Sequence, residues 1–207
     1  MIDNLDTIRK NWIFLLVWLL TSVLAWTIGY GLGNTTLYIE IEQEFLRLPL
    51  LRISTAIVGG LICAALQLPL LKTRVTKSFW LITSGFGWVF GATIGVYAEM
   101  FEGLLRSFCN PLFPIFDGLV VGLFQWFALQ EHTENSGWWV VISIAGVAIA
   151  DGSSATLRAV AFSATENLII GALLLGAVYG SIYGMITGIG ILWLTRETLP
   201  SNQFGEM

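Results

Sequence analysis

The chain has 207 residues, 56% of them hydrophobic and 12% charged, and a mean hydropathy of +0.77, which excludes an ordinary water-soluble domain. Its net charge is -4 and its 10 Lys and Arg are scattered along the sequence, which excludes a nucleic-acid-binding face. The composition is that of an integral membrane protein, with the lipid bilayer as its first partner.

In chain order, five runs are apolar for about 15–25 residues, enough to cross or nearly cross a hydrocarbon core of roughly 30 Å. They are residues 12–32, 53–71, 79–98, 113–129 and 168–194. A sixth run, 138–150, is shorter and reaches the far side only by tilting or by continuing through the polar DGSSAT that follows it. The first run comes after Arg9 and Lys10, as a secretory signal would, but its pattern recurs further along, which makes it the first of six spans. The connections at 72–77 and 130–137 are short and make their flanking helices antiparallel neighbours. Those at 38–52 and 99–111 are longer, and their Leu and Phe residues suit segments lying in the interface. A six-span scheme puts Arg9, Lys10, Lys72, Arg74, Lys77 and Arg196 on one side and Arg47, Arg52, Arg106 and Arg158 on the other. That excess places both termini in the cytoplasm, in a bacterial inner or thylakoid-type membrane, with an acidic far side.

The spans also repeat. Trp18, Trp80 and Trp139 align; Trp26, Trp88 and Val147 follow at plus eight, Gly29, Gly91 and Ala150 at plus eleven, and Gly33, Gly95 and Ser154 at plus fifteen. In the alternate spans Gly60, Gly118 and Gly180 align, followed at plus four by Ala64, Gly122 and Gly184 and at plus seven by Gln67, Gln125 and Thr187. The expected fold is all-α, a polytopic membrane protein of six transmembrane helices forming three hairpin copies over about residues 12–75, 79–133 and 138–197. At about 100° per residue each set of offsets stays within one face of its helix, so every helix carries a stripe of small residues with a Trp or an amide on it. Small residues four apart let two backbones approach closely in lipid. Gly118 and Gly122 are expected to make such a contact. Gln125, one turn on, must then find a protein partner, because no water reaches it there. The last span carries Gly176, Gly180, Gly184 and Gly188 in one ladder and is expected to be the most closely packed helix.

Through Gly118, Gly122, Gln125 and Trp126 the fourth span resembles a group of uncharacterised polytopic membrane proteins, frequent in cyanobacteria and related bacteria, that are built from repeats of a glycine-spaced helix ending in Gln-Trp. The first copy departs from that pattern, with Leu68 and Pro69 after Gln67, and the third has Thr187 and Gly188. The resemblance implies a repeat-built membrane fold and brings no activity with it.

Asp151 is the acid that the span count brings closest to the membrane interior. If the fifth helix runs on through Gly152 to Thr156, Asp151 lies below the far interface, where an ionisable group marks an ion or proton path. If the helix stops at Gly152, Asp151 is a solvated cap. Asp117, shortly after Pro114, reads as a helix-start carboxylate set against the positive end of its helix. Glu99 and Glu102 read as part of a solvated acidic loop, with a cation site shared with Glu40 as the alternative. The single histidine, His132, lies in the loop EHTE, and Cys63 and Cys109 form neither a CxxC motif nor a disulfide framework, so no metal centre is expected. The nine Trp read as interfacial anchors or as large partners for the glycine stripes, with stacking on a pigment or quinone as the alternative. No nucleophile paired with a base and no phosphate loop followed by Lys is visible, so neither enzymatic activity nor a cofactor is expected.

The expected function is that of a non-enzymatic accessory or scaffold subunit, assembling with other membrane subunits or with itself through the glycine-rich faces of Gly60, Ala64, Gly118, Gly122, Gly176, Gly180, Gly184 and Gly188. The alternative is a small transporter, channel or substrate-binding membrane component with Gln67, Gln125, Thr187, Asp151 and Asp117 as its polar groups. Direction separates the two. Stripes converging on a cavity favour transport, and stripes buried pairwise favour a scaffold.

Overall fold

The computed structural model describes residues 2–36, 57–71, 75–100, 112–165 and 167–196. Among these there are six helices and no strand: α1 (Ile2–Thr36), α2 (Ile57–Gln67), α3 (Lys77–Met100), α4 (Phe113–Leu129), α5 (Trp138–Thr165) and α6 (Leu168–Arg196). Three contain stretches long and apolar enough to cross a membrane, Arg9–Gly29, Trp138–Arg158 and Ile169–Thr195, with mean hydropathies of 2.0, 1.6 and 1.9. α2 and α4 are apolar but shorter. The connection expected at 99–111 starts later than expected, because α3 continues through Glu99 to Met100, so Glu99 is helical and not part of a loop; the rest of that connection and the interfacial segment expected at 38–52, with Glu40, Glu102 and Cys109, lie outside the described residues, as do Lys72 and Arg74.

The fifth helix differs from its expected length. α5 has 28 residues, about 42 Å at 1.5 Å per residue, and runs straight through DGSSAT. The reason is local: Ser154 Oγ donates to Asp151 O at 2.9 Å and Thr156 Oγ1 to Gly152 O at 2.9 Å. Hydroxyls turned back onto their own helix satisfy themselves without ending it, and Gly152 alone costs only about 1 kcal/mol of helix propensity. α6 begins on a true cap, since Asn167 Oδ1 accepts from the amides of Ile169 and Ile170.

The helices follow one another around a closed circuit. α3 packs on α4, α4 on α5, α5 on α6, and α6 returns to α1. α2 fills the remaining place: Gly59 meets the backbone of Gly29 on α1, the Trp88 indole of α3 lies across Gly60, and Leu61 lies on Gly85. Of the three long spans, Ile169–Thr195 is the most enclosed, with 44% of its most apolar window buried against 28% and 29% for the other two.

Aromatic rings fill the interior at two levels. At one, Trp18, Trp80 and Trp139, none more than 1% exposed, pack with Ala64, Leu129 and Ile191, so that all six helices contribute. At the other, Trp26 sits 4.5 Å from Trp88 and 4.4 Å from Tyr179 between ring centroids, with Tyr183 and Val121 beside them. The outside is the reverse of a soluble protein's surface. Leu16, Leu20 and Leu24 on α1, Ile82, Phe86 and Phe90 on α3, and Leu174 and Ile189 on α6 are exposed in helical rows, an apolar surface of the kind that faces lipid rather than water.

Candidate functional site

The polar side chains on the helix stripes are buried, and they pair between helices. Gln125 is 3% exposed. Its Nε2 donates to Ser84 Oγ on α3 at 3.1 Å, and its Oε1 accepts from Trp139 Nε1 on α5 at 3.0 Å. The indole N–H can only donate, so it fixes which end of the amide is the oxygen. Gln67 Nε2 donates to Ser22 Oγ on α1 at 3.5 Å, a long bond, while Ser22 donates onward to Trp18 O at 2.9 Å. Thr187 on α6 accepts from Trp18 Nε1 at 3.0 Å and donates to Tyr183 O at 2.7 Å. Trp126, next to Gln125, donates to Ser136 Oγ at 3.1 Å and so ties the end of α4 to the turn that follows.

The glycines set how closely these helices approach. A Cβ placed on Gly118 would lie 2.6 Å from Ile144 Cα and one on Gly122 2.9 Å from Val140 Cα, so α4 meets the backbone of α5 directly. A Cβ on Gly180 would lie 2.7 Å from Val23 Cα, and one on Gly184 2.7 Å from Ser22 Cβ and 3.4 Å from Leu19 Cα. Gly188 faces the side chains of Leu15 and Trp18. Gly176 and Ala64 are buried. Every one of these glycine contacts falls inside the chain. The faces of Gly60, Gly118, Gly122, Gly180, Gly184 and Gly188 are therefore covered by the protein's own helices and do not form its outer surface.

Neither aspartate is where a simple cap would stand. Asp151 lies in the interior of α5, within the Trp138–Arg158 stretch, and is partly buried, so the reading of Asp151 as a terminal cap of a helix ending at Gly152 is corrected. Asp117 is corrected too. It falls beyond the first turn of α4, which holds no acid, and its buried Oδ1 lies beside Gly91 of α3, 3.5 Å from where a Cβ would stand. His132 is exposed in the turn after α4, and Cys63 is buried with its thiol free. Among the described residues no group of three His, Cys, Asp or Glu is placed to hold a metal ion.

The serines are the partners that sequence reasoning missed. Ser22, Ser84 and Ser143 stand four residues after Trp18, Trp80 and Trp139, all three fully buried, and that spacing was available in the sequence. Among the described residues, Ser143 Oγ and Trp80 Nε1 have no hydrogen-bond partner. Comparison with protein-family models, with curated proteins and with solved structures finds no match to this chain.

Proposed function

We propose that this chain is a six-span membrane protein made of three copies of one helical hairpin closed into a ring, and that it serves as a non-enzymatic scaffold or accessory subunit of a membrane complex. One observation carries the reading. Gln67, Gln125 and Thr187, the polar groups on the stripes, each pair with a side chain of an adjacent helix, around an interior filled with Trp and Tyr. Pairwise burial of this kind rigidifies a bundle.

The three-copy reading draws support from matching contacts. Gly118 and Gly122 meet α5 at the fourth, fifth and first residues after Trp139, and Gly180 and Gly184 meet α1 at the fourth, fifth and first residues after Trp18. The glycine stripe of one copy thus serves the Trp-bearing helix of the next, and the third copy serves the first. Within a copy the amide reaches the serine, as Gln125 reaches Ser84 and Gln67 reaches Ser22. On this reading self-association or subunit contact uses the outer apolar rows, such as Ile82, Phe86 and Phe90, and the glycines serve folding. Arg9, Lys10 and Lys77 stand exposed at the end where α1 begins and α6 ends, in keeping with a cytoplasmic location for that end in a bacterial inner or thylakoid-type membrane.

A second reading, a small transporter or channel, rests on Asp151, an acid partly buried inside a membrane-length stretch. Co-purification from native membranes separates the two. A stable partner, with no flux of protons or cations in reconstituted vesicles, supports the scaffold; flux that depends on Asp151 replaces it with transport.

A further inference from the structure

We infer that the third hairpin holds one ordered water molecule between Ser143 and Thr187, in the place that an amide takes in the other two; the inference rests on the three-copy reading above. The register of the third hairpin matches that of the second. Gly87 on α3 packs against the backbone of Val121 on α4, with 3.1 Å between its would-be Cβ and Val121 Cα, and at the corresponding positions Gly146 on α5 faces side chains of α6, its would-be Cβ 3.3 Å from Tyr183 Cδ2 and 3.4 Å from Thr187 Cγ2, which puts Thr187 one turn along from Ser143 on the same face. Ser143 therefore faces Thr187 as Ser84 faces Gln125.

The difference lies in reach and in donors. Gln125 spans from its own helix to Ser84 and also accepts from Trp139. Thr187 has a side chain with no amide, and its hydroxyl already donates to Tyr183 O and accepts from Trp18. It has no second hydrogen to give Ser143, and the Ser143 hydroxyl makes no bond to the lone pair that Thr187 has left. Ser143 is 0% exposed, and its Oγ has no hydrogen-bond partner among the described residues. A buried hydroxyl in that state is costly. The ligand that satisfies both groups must be small, neutral, and able to donate and accept at once. Water meets that description, donating to the remaining lone pair of Thr187 Oγ1 and accepting from the Ser143 hydroxyl, and such bridging waters are ordinary parts of protein interiors. The competing solution is the one Ser22 uses, a bond back to the carbonyl four residues earlier, which for Ser143 is Trp139 O.

A crystal structure fine enough to order internal waters tests this directly. The expected result is one water within hydrogen-bond distance of both Ser143 Oγ and Thr187 Oγ1; Ser143 turned onto the Trp139 carbonyl, with no water between the two residues, overturns it. Thr187→Gln gives a second test. The new amide should displace the water and raise Tm by about 2–4 °C, the shift for one restored interhelical bond in a chain of this size, and Ser143→Ala in the same chain should abolish the gain. A lowered Tm, or a gain that survives Ser143→Ala, overturns the inference. Gln125→Thr keeps the two claims apart. If it lowers Tm while Thr187→Gln brings no gain, only the water site fails, whereas an unchanged Tm strikes the three-copy reading itself.

Discussion

Gly180→Ala adds one methyl group where α6 meets α1, and the structure says what it displaces. The new Cβ would lie 2.7 Å from Val23 Cα and 2.7 Å from Ser22 O, both backbone atoms that cannot swing aside. Carbons in contact sit about 3.5–4.0 Å apart, so α1 must withdraw by roughly 1 Å. Two turns further along α6, the 3.0 Å bond from Trp18 to Thr187 then stretches past useful hydrogen-bond length. Overpacking costs about 1–3 kcal/mol and the lost bond about 0.6–1.7 kcal/mol, against about 1 kcal/mol gained by replacing a helical glycine. The net loss is about 2 kcal/mol, which lowers Tm by roughly 4–8 °C for a chain of this size. Gly152→Ala is the control, because nothing lies within 4 Å of its would-be Cβ; there the propensity gain stands alone and Tm holds or rises. The assay is thermal unfolding of both variants in the same detergent, followed by tryptophan fluorescence. Equal shifts for the two, or an unchanged Gly180→Ala, refute the close approach of α6 to α1.

Gln125→Leu keeps the volume but leaves Ser84 Oγ and Trp139 Nε1 without their shared amide; at about 0.6 kcal/mol or more per interhelical bond the expected loss is about 1–2 kcal/mol, read as a lower Tm, and a neutral result would remove the amide from the account. For Asp151, partly buried inside α5, Asp151→Asn keeps the size and hydrogen-bonding capacity of the side chain and should leave Tm nearly unchanged, and a large shift would show that the charge itself is held. Proton and cation flux from vesicles should be the same for wild type and Asp151→Asn; flux abolished by the substitution would favour the transport reading. With Cys63 and Cys109 replaced by Ser, a cysteine at Asn167 should react with an impermeant label in sealed cells and one at Ser78 only after permeabilisation, and labelling of Ser78 in sealed cells would overturn the topology.

The parts of this molecule that sequence exposes are those governed by spacing along one helix. The small residues at positions 118, 122, 180 and 184 announce a close contact, and a polar residue one turn on, Gln125 or Thr187, announces a need for a partner. Which helix supplies that partner is a matter of tertiary arrangement. Gln125 bonds forward to Trp139 as well as back to Ser84, and no pattern within α4 specifies either. The length of α5 was hidden for another reason. DGSSAT looks like a polar break, but its hydroxyls turn inward to Asp151 O and Gly152 O, and composition alone does not distinguish a hydroxyl bonded to its own helix from one that ends it. Asp117 shows the same limit. Its distance from Pro114 suggests a helix start, while its true neighbour, Gly91, comes from another helix. The direction in which the glycine faces look, toward the chain's own helices or toward a partner, is likewise a tertiary fact.

The closure of α6 onto α1 is the claim on which the ring depends, and one distance tests it. Ile13 and Ile189 are both exposed, and the register of Gly188 on Leu15 and Gly184 on Leu19 brings them to the same level of adjacent helices. Adjacent helices pack about 8–10 Å apart between axes, so nitroxide labels at these two positions, measured by pulsed electron spin resonance in lipid nanodiscs, should give one narrow distance below about 30 Å. An open row of helices would separate α1 from α6 by five such spacings, roughly 45 Å, and a distance in that range would contradict the closed ring.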